Sequence, residues 1–188
     1  MIDRLHLPVT LDARTAPVVL RRATRDDLAG IVRLLADDPV SASRGDRAQP
    51  EDEAAYAAAL DAITADAGND LLVAVAPAGV VVGTLQVTVI PGLTRRGSTR
   101  LLVEAVRVAS TERSSGIGTA VMRWVTDVAA PAVGATLVQL TSDAARSDAH
   151  RFYRRLGFVD SHVGFKHAVG PAPTSASMQG DQGDAVPH

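Results

Sequence analysis

Two glycines, Gly116 and Gly118, stand where a run of aliphatic residues, LLVEAVRVA, meets a segment with helical periodicity, IGTAVMRWV. Glycine has no Cβ, so a ligand can approach its main chain closely. A helix N-terminus presents free N–H groups together with the positive end of the helix dipole. Backbone donors of this kind bind anions without charged side chains. The junction therefore suits a phosphate group, although a tight turn that binds nothing uses the same two residues.

Other glycine-rich ligand sites fit this junction less well. No Gly-Lys-Ser or Gly-Lys-Thr follows the glycines, which excludes a P-loop, and the Gly-x-Ser-x-Gly of serine hydrolases is absent. A dinucleotide-binding turn would need a third glycine where Val121 stands, and it would follow the strand without the five residues 109–113. Asp143, at the end of a later strand, could still imitate the ribose-binding acid. A dinucleotide-dependent enzyme therefore stays as a third hypothesis.

Composition narrows the class of protein. The 188 residues, 46% of them hydrophobic, are enough for one domain with a substantial core. The formal net charge of -2 gives no general attraction for nucleic acid or for an anionic membrane. The lack of cysteine excludes disulfides, thiolate metal ligands and a cysteine nucleophile, and no apolar run approaches the ~20 residues that span a bilayer. We predict a cytoplasmic protein that binds neither nucleic acid nor membrane.

The order of predicted elements indicates the fold class. A strand from Val18 is followed by a helix with Thr24 as its N-cap, a polar loop and a second helix. Three strands then form a meander, and the chain continues as helix, strand, helix and a last strand, FVDSHVGFKHAV. This order predicts an α/β fold with a mixed, mostly antiparallel central sheet and helices on both faces. His162 and His167 would face opposite ways on the last strand and could not share a metal.

The chain divides into one domain and two short flanks. Residues 1–17 are predicted to be an N-terminal arm or an edge strand, because apolar and polar residues alternate at Leu5, Leu7, Val9 and Leu11. The domain itself is predicted over residues 18–169. Residues 170–188 are rich in Gly, Pro, Ser and Gln, which predicts a disordered tail.

Two motifs resemble a known family. The spacing Arg113-x-x-Gly116-x-Gly118, between a strand and a helix, resembles the acyl-CoA pyrophosphate loop of the GNAT superfamily of N-acyltransferases. The block SDAHRFYRRLGF resembles the C-terminal signature of that superfamily at five positions, Ala149, Phe152, Tyr153, Gly157 and Phe158. Two motifs in register are far more specific than one, and the resemblance extends from about residue 18 to residue 169. It implies the GNAT fold and acetyl-CoA as cosubstrate, with no metal.

The resemblance also implies which residues bind acetyl-CoA. The main chain of the strand would contact the pantetheine arm at Val106, Arg107 and Val108. Backbone N–H groups would bind the pyrophosphate at seven positions, Arg113, Ser114, Ser115, Gly116, Ile117, Gly118 and Thr119. Many relatives have Arg-Gly-Arg-Gly where this chain has Arg-Ser-Ser-Gly, which removes one cation and predicts weaker CoA binding. Arg146 replaces an asparagine that contacts pantetheine in many relatives, and a contact with a CoA phosphate is its predicted role.

Two residues are the predicted catalytic pair. Tyr153 matches a family tyrosine that can protonate the leaving thiolate, and a phenol with a pKa of ~10 is neutral at pH 7. Outside this motif the same residue would be interpreted as a core aromatic. Glu104 lies in an apolar strand, two residues before Val106 and so on the same predicted face, where it would deprotonate the acceptor amine or bind its ammonium. A structural ion pair with Arg107 or Arg22 is the alternative for Glu104.

The predicted reaction is a direct transfer. Without a cysteine to carry the acyl group, we expect the amine to attack bound acetyl-CoA in a ternary complex. Gln86 and Gln139 are the candidate acceptor-binding residues, with residues 40–50 as a lid. We predict an N-acetyltransferase that acts on a primary amine of a small molecule and, from the family resemblance, can form a homodimer. The alternative is a non-catalytic GNAT-fold domain that binds acyl-CoA as a sensor or interaction module.

Overall fold

A six-stranded sheet forms the centre of the protein. The computed structural model describes residues 2–43, 45–167 and 169. The strands are β1 (Val9–Leu11), β2 (Val18–Arg22), β3 (Asn69–Val75), β4 (Val81–Ile90), β5 (Arg100–Val108) and β6 (Leu137–Leu140). They lie side by side in chain order, and every neighbouring pair is antiparallel except the parallel pair of β5 and β6. The prediction of a mixed, mostly antiparallel sheet is confirmed.

Helices of very different lengths connect the strands. They are α1 (Leu28–Ala36), α2 (Pro39–Ser43), α3 (Glu53–Ala65), α4 (Thr94–Gly97), α5 (Ile117–Trp124), α6 (Ala130–Ala132) and α7 (Ser147–Arg155). A π-helical stretch, Val125–Ala129, makes α5 and α6 continuous, and α4 is a single turn that includes two left-handed residues. The polar segment predicted as a loop after α1 contains α2. No helix in the described ranges is long and apolar enough to cross a membrane.

The two faces of the sheet are buried in separate cores. On β3, Leu72 and Ala74 belong to the core that includes α5, whereas Leu71 and Val73 belong to the core formed with α1 and α3. Successive side chains of a strand point to opposite faces, so a strand covered by helices on both sides is apolar at consecutive positions. Helices therefore cover both faces, as predicted.

The N-terminal segment adds to the sheet and reaches the glycine junction. Strand β1 pairs with β2 at the sheet edge, and Ile2, Leu5 and Leu11 are buried in the α5 core. Between β1 and β2, the N–H of Thr15 donates to the carbonyl of Ser115 at 3.2 Å. The segment thus crosses the loop that precedes α5.

The last predicted strand is not formed in the described residues 158–167 and 169. Its apolar side chains are exposed, with Val159 at 80%, Val163 at 79% and Phe165 at 93%. Aromatic and β-branched residues fit a pleated, half-buried surface, and here no neighbouring strand supplies one. The argument about the facing of His162 and His167 consequently does not apply. The tail predicted over residues 170–188 lies outside the described residues.

Candidate active site

The two glycines of the junction differ in whether packing requires glycine. Gly116 precedes α5 with a φ of 92°, and a Cβ there would lie 2.6 Å from the backbone nitrogen of Arg14. At Gly118 a Cβ would lie 3.4 Å from the ring of Phe152 on α7, in ordinary contact. Gly116 therefore permits both the left-handed turn and the close approach of the N-terminal segment, whereas the packing of α5 against α7 leaves room for a Cβ at Gly118.

Not all of the predicted pyrophosphate donors are equally available. The N–H of Arg113 donates to Ser110 O at 3.3 Å, and that of Ser115 donates to Glu112 O at 3.2 Å. By contrast, Gly118 and Thr119 lie in the first turn of α5, where N–H groups have no intrahelical acceptor. The N–H of Ile117 also donates within the loop, to Ser115 Oγ at 3.5 Å. The junction fits an anion held by the start of α5, although three of the seven predicted donors already serve the loop itself.

A gap opens between β5 and β6 next to this junction. The two strands pair only from Arg100 with Leu137 to Val103 with Leu140, whereas β5 continues to Val108. Beyond Val103, this edge of β5 has no strand partner within the described ranges. Just past β6, the hydroxyl of Ser142 is buried without a hydrogen-bond partner in the described part of the chain. Unpaired main-chain groups and an orphaned hydroxyl fit a ligand rich in amides, such as a pantetheine arm.

A β-bulge decides which side chains of β5 share a face. Ala105 has a φ of 50°, and the pairing with β4 shifts so that Glu104 lies opposite Gln86 while Arg107 lies opposite Thr84. Because Thr84 and Gln86 are two residues apart, they share a face, and so do Glu104 and Arg107. This is the face covered by α1 and α3, because Thr84 in turn lies opposite a β3 residue of that core.

The bulge overturns part of the prediction for Glu104. Val106 packs against the α5 core on the opposite face, so the prediction that it shares a face with Glu104 is wrong. Glu104 is also exposed, which removes the argument that burial makes its charge costly. Nor does it form the alternative ion pair, because Arg22 pairs with Asp70 at 2.7 Å. What remains is an accessible carboxylate beside the gap.

A cluster of charged groups lies on the same face as Glu104. The Nη2 of Arg107 donates to Ser41 Oγ at 2.6 Å, and the N–H of Ser41 donates to Asp38 Oδ1 at 2.9 Å. Both terminal nitrogens of Arg146 donate to the two oxygens of Asp38, each at 2.6 Å. The cluster therefore ties α2 to β5 and to the start of α7. Since Arg146 is engaged with a carboxylate, we do not retain its predicted contact with a CoA phosphate.

Burial and mutual charge shift the pKa values in this cluster. Burial lowers the pKa of Arg107, and the nearby guanidinium of Arg146 lowers it further. Burial alone would raise the pKa of Asp38, but the N–H of Ser41 and the two guanidiniums bring it below its ordinary value. The cluster is thus ionised at neutral pH, with two cations close together.

Tyr153 lies next to this cluster. Its ring on α7 makes edge contacts with Phe152, at 5.1 Å between centroids, and with Phe158, at 5.7 Å. Burial raises the pKa of its hydroxyl, against the opposite influence of Arg107 and Arg146. The phenol is therefore protonated well above neutral pH, as an acid for a leaving thiolate must be.

The predicted acceptor residues lie on the same face of the sheet. Gln86 Nε2 donates to Asn69 Oδ1 at 3.2 Å, and Thr88 Oγ1 donates to the same atom at 2.5 Å. Gln139 lies opposite Leu102 on β5, which in turn lies opposite Thr88. Asn69, at the start of β3, was not predicted, because a single asparagine at a strand end is an ordinary turn signal.

Three further residues of this region also escaped the sequence analysis. They are Asp38 just before α2, Ser41 within α2, and Tyr56 on α3, whose hydroxyl donates to Asp46 Oδ1 at 2.8 Å. Burial, and the bond to that carboxylate, raise the pKa of Tyr56 to about 12. The polar composition of residues 40–50 suggested a lid, but composition does not reveal which members face the sheet.

Similarity to known proteins agrees with this geometry. The model of the Acetyltransferase (GNAT) family matches residues 21–158. The aminoalkylphosphonate N-acetyltransferase of Salmonella typhimurium (strain LT2) is 40% identical over 57 residues, which are 30% of this chain and 36% of that protein. The match thus spans about a third of that relative's length.

Solved structures match over nearly their full length. A protein from Bacillus halodurans C-125, described as a transcriptional regulator, is 41% identical with a TM-score of 0.76, over 81% of this chain and 99% of that one. An acetyltransferase from Trypanosoma brucei is 24% identical with a TM-score of 0.64, over 81% and 99%, a likeness of fold alone. Because the family model covers well over half of the sequence, the chain belongs to the acetyltransferase (GNAT) family.

Proposed function

We propose that this protein transfers the acetyl group of acetyl-CoA directly to a primary amine of a small molecule. The observation that carries the proposal is the gap between β5 and β6. It leaves β5 without a β6 partner beyond Val103, in the stretch that leads to the glycine junction and includes Arg107, whose charge acts on Tyr153. Family membership and the partial similarity to an N-acetyltransferase of small amines support it.

The residues divide the chemistry between them. In the proposed reaction the start of α5 binds the pyrophosphate, and the unpaired edge of β5 from Val106 to Val108 aligns the thioester. Glu104 takes a proton from the acceptor ammonium, directly or through water, so that the nitrogen lone pair can attack the carbonyl carbon. As the carbon–sulfur bond breaks, the hydroxyl of Tyr153 donates its proton to the departing thiolate. The nitrogen, positively charged after its attack, releases a second proton that restores the Tyr153 hydroxyl. The products are the N-acetyl amide and CoA.

The first test is ligand binding followed by turnover. Melting temperature is compared in the presence of acetyl-CoA, CoA, NAD and ATP, and thiol release is then measured with a panel of primary amines. We expect acetyl-CoA and CoA alone to raise the melting temperature, and thiol release to require an amine. A rise with NAD alone would contradict the proposal and favour the dinucleotide hypothesis.

A second candidate function rests on the relative from Bacillus halodurans, which is described as a transcriptional regulator. In this alternative the fold binds acyl-CoA without turnover, as a sensor or interaction module. The two candidates separate cleanly, because a sensor would bind acetyl-CoA and release no thiol with any amine. The homodimer and the cytoplasmic location stay predictions, which sedimentation and cell fractionation can test.

A further inference from the structure

Arg107 is a partly buried cation whose hydrogen bonds go only to neutral groups. Its Nη1 donates to the carbonyl of Val106 at 2.8 Å and its Nη2 to the hydroxyl of Ser41 at 2.6 Å. Its Nε is buried and has no hydrogen-bond partner among the described residues. A guanidinium removed from water in this way is costly unless an anion compensates it.

The carboxylates nearest to Arg107 are already engaged. Both oxygens of Asp38 accept from Arg146, and one also accepts the N–H of Ser41. Asp46 accepts the hydroxyl of Tyr56. Within the described residues, Arg107 makes no ion pair of its own, so its charge is left for a group from outside the chain.

The bulge at Ala105 sets the distance from this cation to an accessible carboxylate. Residues three apart on a regular strand face opposite ways, but here Glu104 and Arg107 share a face because of the extra residue. Their partners on β4 are two residues apart, so the two positions are separated by about 7 Å along the sheet, at ~3.4 Å per residue. Glu104 and Arg107 thus occupy neighbouring positions on one face of the sheet, a spacing that one small molecule can span.

We propose that the acceptor is an amine that also carries an anionic group, a phosphonate, phosphate or carboxylate, and that Arg107 binds this group while Glu104 receives the amine. The inference rests on the proposed function and adds the class of acceptor to it. Guanidinium donors form a planar fork that matches the oxygens of all three anions. The charge order along β5 also fixes the orientation, because the amine end of a short zwitterion is attracted to Glu104 and the anionic end to Arg107.

Matched acceptors test the proposal. Thiol release from acetyl-CoA is measured with 2-aminoethylphosphonate and β-alanine, and with n-propylamine and ethanolamine, which lack the anion. For the wild-type protein we expect kcat/KM to be at least about 10-fold higher for an anionic acceptor than for the amines without an anion. Comparison of kcat/KM between 2-aminoethylphosphonate and β-alanine shows which anion is preferred.

Variants of one strand then assign the preference to Arg107. In Arg107→Gln we expect kcat/KM for the anionic acceptor to fall about 10- to 100-fold more than kcat/KM for n-propylamine, mainly through KM. Arg107→Lys should restore part of the loss, since it keeps the charge without the fork. Arg100→Gln, at the exposed start of the same strand, is the matched control and should behave as the wild type.

The alternative is that Arg107 only holds α2 in place. Ser41→Ala removes its hydrogen bond to α2 and keeps the charge, so the anionic preference should survive in that variant. Circular dichroism shows whether each variant is folded. If Arg107→Gln were folded and lowered turnover equally for all four amines, or if the wild type showed no preference, the inference would be overturned while the proposed function stood.

Failure of the proposed function gives a different pattern. In that case acetyl-CoA would not raise the melting temperature, and no amine would release thiol. If acetyl-CoA bound without turnover, calorimetry of 2-aminoethylphosphonate against the CoA-bound protein would decide. Binding that Arg107→Gln weakens at least about 10-fold supports the anion site, and absence of binding overturns it.

Discussion

The two halves of the candidate active site use different chemical groups, main-chain groups in one and charged side chains in the other. On the proposed cosubstrate side, the determinants that we propose are main-chain groups at the start of α5 and along the edge of β5 that has no partner in β6. On the acceptor side they are charged side chains, Arg107, Arg146 and Asp38, which converge from separate elements. A site made of main-chain groups needs a position without a side chain, so that a ligand can approach. A site made of side chains needs particular residues. The cosubstrate side should therefore fail when a side chain is added, and the acceptor side when one is removed.

The largest effect is expected from Gly116→Ala. The new Cβ would be both in the left-handed region and 2.6 Å from the backbone of Arg14, so we expect a loss of about 2–4 kcal/mol in the free energy of unfolding together with weaker CoA binding. The matched control is Gly79→Ala, because Gly79 has a φ of 79° and no heavy atom within 4 Å of its Cβ position. We expect about 1 kcal/mol there, with unchanged CoA affinity, from urea unfolding and calorimetry. Equal effects at both positions would show that the conformation alone matters.

Tyr153→Phe tests the residue that we propose to protonate the leaving thiolate, where the cosubstrate and the acceptor would react. We expect kcat to fall about 100-fold with little change in the affinity for acetyl-CoA, because only the proton donor is lost. Since burial raises the pKa of this hydroxyl above its ordinary value, ionisation of Tyr153 should not lower the wild-type rate as the pH increases from 7 to 9. A decline in that range that Tyr153→Phe abolishes would place the pKa lower than the structure implies. Steady-state kinetics across this pH range supplies both results.

Asp38→Asn tests the charged cluster on the acceptor side by removing its negative charge. Removal of the carboxylate charge leaves Arg146 without its ion-pair partner and Arg107 without a nearby negative charge, and we expect a loss of about 1–3 kcal/mol in the free energy of unfolding. The pKa of Asp38 is lowered in the folded protein, so its contribution is complete above the ordinary pKa of 3.8 and is lost as the pH falls below it. The difference between wild type and variant, measured by urea unfolding, should therefore shrink in acid. A difference that is constant from pH 7 to pH 3 would rule out the charge as its cause.

The smallest effect is expected from Ser114→Gly, which removes a side chain from the loop on the cosubstrate side, the opposite change to Gly116→Ala. Ser114 has a φ of 65°, a conformation that costs a serine more than a glycine, so we expect the variant to gain about 0.5–1 kcal/mol in stability. Ser110→Gly, in the preceding turn, is the control, since its φ is not in the left-handed region and the change should cost stability instead. Thermal unfolding of the two variants distinguishes relief of strain from a general effect of added glycine.

The difference between the two halves also explains what the sequence could reveal. The strand, the two glycines and the following helix are contiguous, so their local pattern predicted the structure of the junction, and cosubstrate binding there stays a prediction. The ion pair of Asp38 with Arg146 joins residues 108 positions apart, and no local pattern connects them. The prediction for Glu104 assumed a regular strand, whereas Ala105 carries no turn signal and yet adopts a φ of 50°. The last strand was predicted from propensity alone, which does not supply a pairing partner.

The segment that crosses the glycine junction has a practical consequence for how the protein is prepared. Thr15 donates to Ser115 and Arg14 covers Gly116, so residues before β2 form part of the wall of the loop. Truncation of this segment, or a tag that displaces it, would expose Gly116 and leave the carbonyl of Ser115 to hydrogen-bond water. Amide hydrogen exchange in the loop should then become faster. Affinities for acetyl-CoA measured on trimmed protein would accordingly describe a different loop from the one in the intact chain.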